Sequence, residues 1–352
     1  MILSLLKLTN FRNHKASTFT LSPTTVIIGK NTAGKTNILE SIYILSRGKS
    51  FRAEKDQDTI NEGKDFTRIE AQVVGNPPIS GEKTELKAIF SLQRGYLSKR
   101  FLVNNVARRQ HDFASNFVSV LFTPKDIELL TDSPGVRRKY MDSVLYQADK
   151  NYRTALSVYE KALRHRNRML YDMREGKKQY KASDFEYFNN ILVENGSYLT
   201  KKREEFVDFV NSAVKDIFDF TLFYDKSEMS IARLMKYHFE EQAAGVTLVG
   251  PQRDDFAFYF GGTKKQVKEF GSRGEERLTI FQLKVLEVDF LQKNTGHIPV
   301  LLLDDIFSEL DDANIFKVFE LLPNQQTIIT TTHHEFVPKK ILNRKDVEII
   351  EL

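Results

Sequence analysis

Residues 29–36 read Gly-Lys-Asn-Thr-Ala-Gly-Lys-Thr, which fits the pattern G-x-x-x-x-G-K-[ST]. The pattern works only as the turn between a buried strand and a helix, so it constrains the fold more than any other stretch. Both flanks comply. The apolar Val26-Ile27-Ile28 precedes it, and a helical run starting near Lys35 continues through Ile38, Ile42 and Leu45. In such a turn Gly29 and Gly34 let the backbone wrap phosphate oxygens. The amides of Lys30, Asn31, Thr32 and Ala33, with the helix start through Asn37, supply positive potential. Lys35 then reaches the β- and γ-phosphates, and the Thr36 hydroxyl is offered to Mg²⁺. The segment from Gly29 to Asn37 is therefore the candidate ATP-binding loop.

A second apolar run, Val300-Leu301-Leu302-Leu303, ends in Asp304-Asp305. A buried parallel strand of this kind delivers carboxylates to the edge of a nucleotide site. Asp304 is placed to hold Mg²⁺ beside Thr36, and Asp305 to orient an attacking water. His333, after the strand expected over 327–332, is the candidate third catalytic residue; a polar strand end explains it equally well.

Upstream, Ser272-Arg273-Gly274-Glu275 opens a strong helical run. By residue type alone, Ser272 is a helix cap and Glu275 closes a capping box. A capped helix N-terminus is also a γ-phosphate site, so the two roles are compatible.

Strands are expected over 2–8, 25–29, 67–74, 85–92 and 98–103, with a turn at Asn76-Pro77-Pro78, and again over 246–250, 256–260, 298–303 and 327–331. Between these blocks the apolar spacing turns helical. One seam runs through Met141, Leu145, Ala148, Tyr152, Ala155, Tyr159 and Ala162, and a second from Phe188 to Ile217 across a basic turn at 174–178. The expected architecture is α/β: mixed β-sheets with helices, built from residues 1–124 and 243–352, interrupted by a helical arm over 125–242.

The chain has 52 lysines and arginines against 47 acids, giving a net charge of +5 that permits a polyanionic partner without requiring one. Absence of cysteine excludes a disulfide framework and thiolate metal sites. No apolar stretch approaches the roughly 20 residues of a membrane-spanning helix, and the opening residues read as a strand and not as a leader, so the expected location is the cytoplasm with no membrane partner. The basic run Lys161, Arg164, Arg166, Arg168, Arg174, Lys177, Lys178 and Lys181 reads either as a solvated helix face or as a phosphate track. Arg166, Arg168, Lys177 and Lys178 are the candidate DNA contacts.

The motifs together resemble an ABC-type P-loop ATPase head of the SMC branch. The resemblance is carried by the Ser-Arg-Gly turn at 272–274, the Asp304-Asp305 strand about 30 residues later, and Ser308-Glu309-Leu310-Asp311. Across nearly the whole chain the sequence is similar to the RecF family of recombination mediators. Further carriers are Leu8 to Asn13, Thr36 to Tyr43, Gly48 to Arg52, Phe122 to Asp126, Gly135 to Asp142, Leu163 to Asn167 and Gly250 to Asp255. The chain departs from the family pattern at Glu275 (usually glutamine), Gln252 (commonly histidine), Thr32-Ala33 (usually Gly-Gln) and Asp305 (usually glutamate).

The resemblance implies ATP and Mg²⁺ as cofactors and Ser272, Arg273, Gly274 and Glu275 acting in trans on a second subunit's nucleotide, with Asp311 in the loop between the two. It implies an ATP-dependent homodimer that clasps single-stranded and gapped or junction DNA. It also implies weak DNA-stimulated ATP hydrolysis, and RecO and RecR as partners in loading RecA during repair, recombination and replication restart. Two other classes remain open. A scaffold that barely hydrolyses ATP is suggested by Asp305. A transporter ATPase subunit shares the motifs, but there the P-loop and signature lie about a hundred residues apart, whereas Lys35 and Ser272 are separated by more than two hundred.

Overall fold

The computed structural model describes residues 1–75, 83–308, 325–338, 341 and 346–352. Asp311, Glu309, Leu310 and the Asn76-Pro77-Pro78 turn lie outside the described residues. The strands are β1 (Ile2–Phe11), β2 (His14–Thr20), β3 (Thr24–Ile28), β4 (Phe66–Val74), β5 (Lys83–Gln93), β6 (Tyr96–Val103), β7 (Val106–Arg108), β8 (Ser119–Phe122), β9 (Phe220–Asp225), β10 (Asp255–Phe260), β11 (Val300–Asp304), β12 (Thr327–Thr331) and β13 (Val347–Glu351). The helices are α1 (Lys35–Arg47), α2 (Gln110–Phe113), α3 (Glu128–Thr131), α4 (Pro134–Ala148), α5 (Lys150–Arg174), α6 (Ala182–Ser212), α7 (Ile231–Lys236), α8 (His238–Ala244), α9 (Val267–Phe270) and α10 (Arg273–Thr295). Among the described residues no helix is long and apolar enough to cross a membrane.

These elements form two compact units. The first comprises Met1–Ile127 with Arg277–Leu352, the second Glu128–Glu276. In the first unit, five parallel strands lie in the order β13-β3-β12-β11-β8. Strands β3, β8 and β12 are buried along their whole length; β3 and β12 fall where strands are expected, whereas β8 is not among the expected strands. A second, antiparallel sheet has the order β2-β1-β4-β5-β6-β7. It alternates, burying Leu6, Leu8, Ile69, Ala71, Leu86, Ala88 and Phe90 on one face. Helix α1 joins both sheets in one apolar core. Its Ile38, Leu39, Ile42, Ile44 and Leu45 are fully buried, each worth roughly 1.5–3 kcal/mol against exposure.

In the second unit the helical seams form with two departures: the second ends with α6 at Ser212, leaving Ala213 and Ile217 outside the helix, and the first is interrupted. Asp149 lies between α4 and α5, and its carboxylate accepts the N–H groups of Asn151 (2.7 Å) and Tyr152 (3.2 Å), starting a new helix where the spacing alone suggests one. Helices α5 and α6 then run antiparallel, with Tyr198 bonded to Asp149 and Asn189 to Arg166.

The unit boundary differs from the expected one. Residues 243–276 belong with the helices, because β10 pairs antiparallel with β9 and not with the sheets of the first unit. Buried Arg203 of α6 clamps the same stretch, binding Asp254 and the Pro251 carbonyl at 2.7 Å each as well as Asp142 at 2.7 Å. The strand expected over 246–250 is absent. Its main-chain donors go to side chains: Thr247 N–H to Asn167, Leu248 N–H to Glu241 and Gly250 N–H to Ser227.

Candidate functional site

The carboxyl ends of the parallel strands bring the sequence-predicted groups to one edge of the first unit. The loop 29–34 follows β3, Asp304-Asp305 closes β11, and His333 stands two residues beyond β12. Register fixes the spacing. Asp304 pairs with Thr330 on β12, and β12 pairs with β3 through Thr331 and Ile28.

Gly34 adopts φ +108°, which a side chain resists, and a Cβ there would meet the Asn13 amide at 2.6–2.7 Å and His14 Nε2 at 2.7 Å. The loop is braced from outside by this β1–β2 turn. Asn13 Nδ2 donates to the Ala33 carbonyl at 3.0 Å, and Asn37 Nδ2 donates to Asn13 Oδ1 at 2.6 Å. His14 Nε2 lies 3.3 Å from the Gly34 carbonyl, and burial lowers the His14 pKa against the smaller opposing effect of that contact. Lys35 is buried, and its ammonium donates to the carbonyls of Gly29 (2.6 Å) and Lys30 (3.1 Å). Burial lowers its pKa, while Asp305 and Asp304 push it back up.

The Thr36 hydroxyl lies 3.0 and 3.1 Å from the two Asp304 oxygens, and Thr330 Oγ1 donates to Asp304 at 2.7 Å. Burial raises the Asp304 pKa, against the hydrogen bonds from Thr330 and Thr36 that lower it. A hydroxyl and a carboxylate converging beside the loop 29–34 are hard oxygen donors of the kind that Mg²⁺ takes. Asp305 takes a left-handed backbone (φ 51°), and its N–H is shared between the carbonyl and hydroxyl of Thr330. His333 is exposed and packs edge-on against Phe336.

Behind the loop, fully buried Glu40 of α1 receives Arg12 at 2.6 and 2.9 Å, Arg52 at 3.0 Å and the Ser50 hydroxyl at 2.5 Å. Arg52 also donates to Asn37 and lowers the Asp304 pKa by its charge. Motif reading named Arg12, Asn13 and Arg52 only as family carriers and did not single out His14. Their tie to the loop is tertiary, and no spacing signals it.

In the second unit, Ser272 caps α10 in a complete capping box. Its N–H and hydroxyl both bond Glu275 Oε2 at 2.8 Å, and its Oγ accepts the Glu275 N–H at 3.3 Å. Those bonds from Ser272 lower the Glu275 pKa. Ser272, Arg273 and Gly274 are exposed, so the helix N-terminus is open to a ligand from outside.

The candidate DNA contacts divide. Arg166 is corrected: it is 1% exposed, its guanidinium turned inward onto Glu241 (2.6 Å), Thr247 (2.7 Å) and Asn189 (2.8 Å), so it presents nothing to a phosphate in solvent. Arg168 is exposed and holds Asp172; Lys177 and Lys178 are exposed in the turn between α5 and α6, over the rings of Tyr171 and Tyr180.

Comparison with known proteins places this geometry in a family. Residues 2–347 match the family model described as the RecF/RecN/SMC N terminal domain. The chain is 32% identical to a DNA replication and repair protein RecF of Latilactobacillus sakei, with 97% of this chain and 95% of that protein covered. It is 30% identical to RecF of Staphylococcus aureus over 97% and 96%. A solved structure of the recombination mediator RecF with ATP superimposes with TM-score 0.86 at 28% identity, covering 96% of this chain and 93% of that one. An SMC head domain from Pyrococcus yayanosii shares the fold, at TM-score 0.51 and 14% identity over 94% and 92%. On sequence and on architecture, this chain belongs to the RecF family of DNA replication and repair proteins, built on an ABC-type ATPase head.

Proposed function

We propose that this chain is an ATP-switched DNA clamp. ATP binds in the loop 29–37, where Thr36 and Asp304 would hold Mg²⁺. Two copies then pair head to tail, each presenting its Ser272-Arg273-Gly274 turn to the other's γ-phosphate. The paired state clasps single-stranded and gapped or junction DNA, and slow, DNA-stimulated hydrolysis releases it. In the cytoplasm, with RecO and RecR as partners, this would support loading of RecA at gaps and stalled forks. The observation that carries the reading is the Thr36 hydroxyl within 3.1 Å of both Asp304 oxygens at the mouth of the phosphate loop.

Mg²⁺, when bound, neutralises charge on the β- and γ-phosphate oxygens. The remaining work falls to the chain. Lys35 exchanges its bonds to two loop carbonyls for phosphate oxygens. Asn13 and His14 keep the loop amides in place. Asp305 orients the attacking water, and the exposed α10 N-terminus turns its donors and dipole toward a second copy's γ-phosphate. Arg168, Lys177 and Lys178 are the remaining candidates for phosphate contacts.

DNA binding by the purified protein with ATP, with ADP and without nucleotide tests the reading. Binding should require ATP and fall steeply with salt, as counterion release demands; equal binding in all three states would refute the switch. A second reading, a scaffold with negligible hydrolysis, is favoured by Asp305, whose side chain is one methylene shorter than glutamate. Single-turnover hydrolysis with and without DNA separates the two.

A further inference from the structure

The exposed face of the α5–α6 hairpin carries more than charge. Lys161, Arg164 and Arg168 are exposed and spaced so as to share one side of α5, a stripe of about 10 Å at 1.5 Å per residue. His165, on the same side, is exposed and stacks on Phe188 of α6, with ring centroids 5.6 Å apart and planes 15° from parallel. Phe188 is in turn met edge-on at 5.3 Å by Tyr187, whose side is open to solvent at 68% exposure. His165, Phe188 and Tyr187 thus form a contiguous ring series beside the basic stripe, with Phe188 packed on the Met169–Leu170–Phe185 cluster and Tyr187 open to solvent. The acidic groups nearby are Glu160, Glu186 and Asp184, the last one turn before Tyr187 on α6 and accepting the Lys181 N–H, with Asp172 already holding Arg168 at 3.1 Å.

We infer that this face is a binding site for an unpaired stretch of nucleic acid, with phosphates on Lys161, Arg164 and Arg168 and a base stacked on Tyr187. A duplex keeps its base faces in its own stack and has use only for the cations. An exposed ring beside a basic stripe has a partner only when bases are free. The inference rests on the reading that this chain binds DNA, and it gives the arm a preference for the single-stranded side of a gap. The site lies wholly within the second unit.

The test uses the full chain with ATP, titrated into a dye-labelled oligothymidine and, separately, a blunt duplex of equal length. Tyr187→Ala should weaken oligothymidine binding roughly 5- to 150-fold, the value of one stacked base, and leave duplex binding as in the native protein. Tyr187→Phe, which keeps the ring, should restore it. Lys161→Ala with Arg164→Ala should flatten the salt dependence of single-strand binding by about 0.7 per lost contact. The site is refuted if Tyr187→Ala binds oligothymidine as the native protein does, or if it weakens both DNA forms alike. If the native protein binds neither DNA, the DNA-binding reading itself fails, a different result from either of these.

Discussion

Arg166 and Arg168 stand two residues apart in one basic run, and replacing each by alanine should give opposite phenotypes. Arg166 is buried against Glu241, whose side chain is fully buried, and its other guanidinium nitrogens are bonded to Thr247 and Asn189. Removing it leaves a buried carboxylate without its cation, a loss of about 3–5 kcal/mol. For a unit of this size each 1 kcal/mol moves the melting temperature by about 2–4 °C, so Arg166→Ala should melt roughly 6–20 °C lower. Arg168 is 68% exposed, and its pair with Asp172 is worth at most about 1 kcal/mol. Arg168→Ala should therefore melt almost as the native protein does and show its effect in DNA affinity. Differential scanning calorimetry on both variants, with DNA titration below their transitions, makes the comparison. The buried assignment fails if Arg166→Ala melts at the native temperature and binds DNA poorly.

Lys35→Ala should abolish ATP binding, whereas Asp305→Asn should retain it and slow single-turnover hydrolysis by about 10²- to 10⁴-fold; native turnover in Asp305→Asn would move the base elsewhere. Asp149 should make the α5 start sensitive to acid. Burial opposes its ionisation, but the Tyr198 hydroxyl and the N–H groups of Tyr152 and Asn151 outweigh that and lower its pKa. A depressed folded pKa contributes stability that is full above about pH 4, the unfolded value, and lost as pH falls through the folded one. Asp149→Ala should cost about 1 kcal/mol at pH 7 and lose this part of the acid dependence, read from urea midpoints against pH.

The sequence was legible where function depends on local pattern. The strand-to-helix turn over 29–36, the strand ending at Asp304-Asp305 and the capping box at Ser272 are each contiguous, and each takes the expected local form. What the pattern missed is set by partners distant in the chain. Phe256 to Phe260 reads as a strand, but nothing in its alternation says that it pairs with β9, so residues 243–276 were expected in the wrong unit. Val246 to Gly250 has strand composition, yet Asn167, Glu241 and Ser227 take its donors. Arg166 looks like its exposed neighbours in a list of basic residues, and only the position of Glu241 shows otherwise. The bracing of the loop by Asn13 and His14 is tertiary for the same reason.

The composite nucleotide site is the central claim, and molar mass by light scattering tests it most directly. In the proposed mechanism the exposed Ser272 turn of a second copy meets the γ-phosphate held by the loop. With ATP, Asp305→Asn should run as a dimer, and with ADP as a monomer. Adding Ser272→Arg should keep ATP binding but hold the protein as a monomer, because the longer side chain fills the space the phosphate needs. Equal dimer in ADP and ATP, or an undiminished dimer with Ser272→Arg, would contradict the account and leave Ser272 as a helix cap alone.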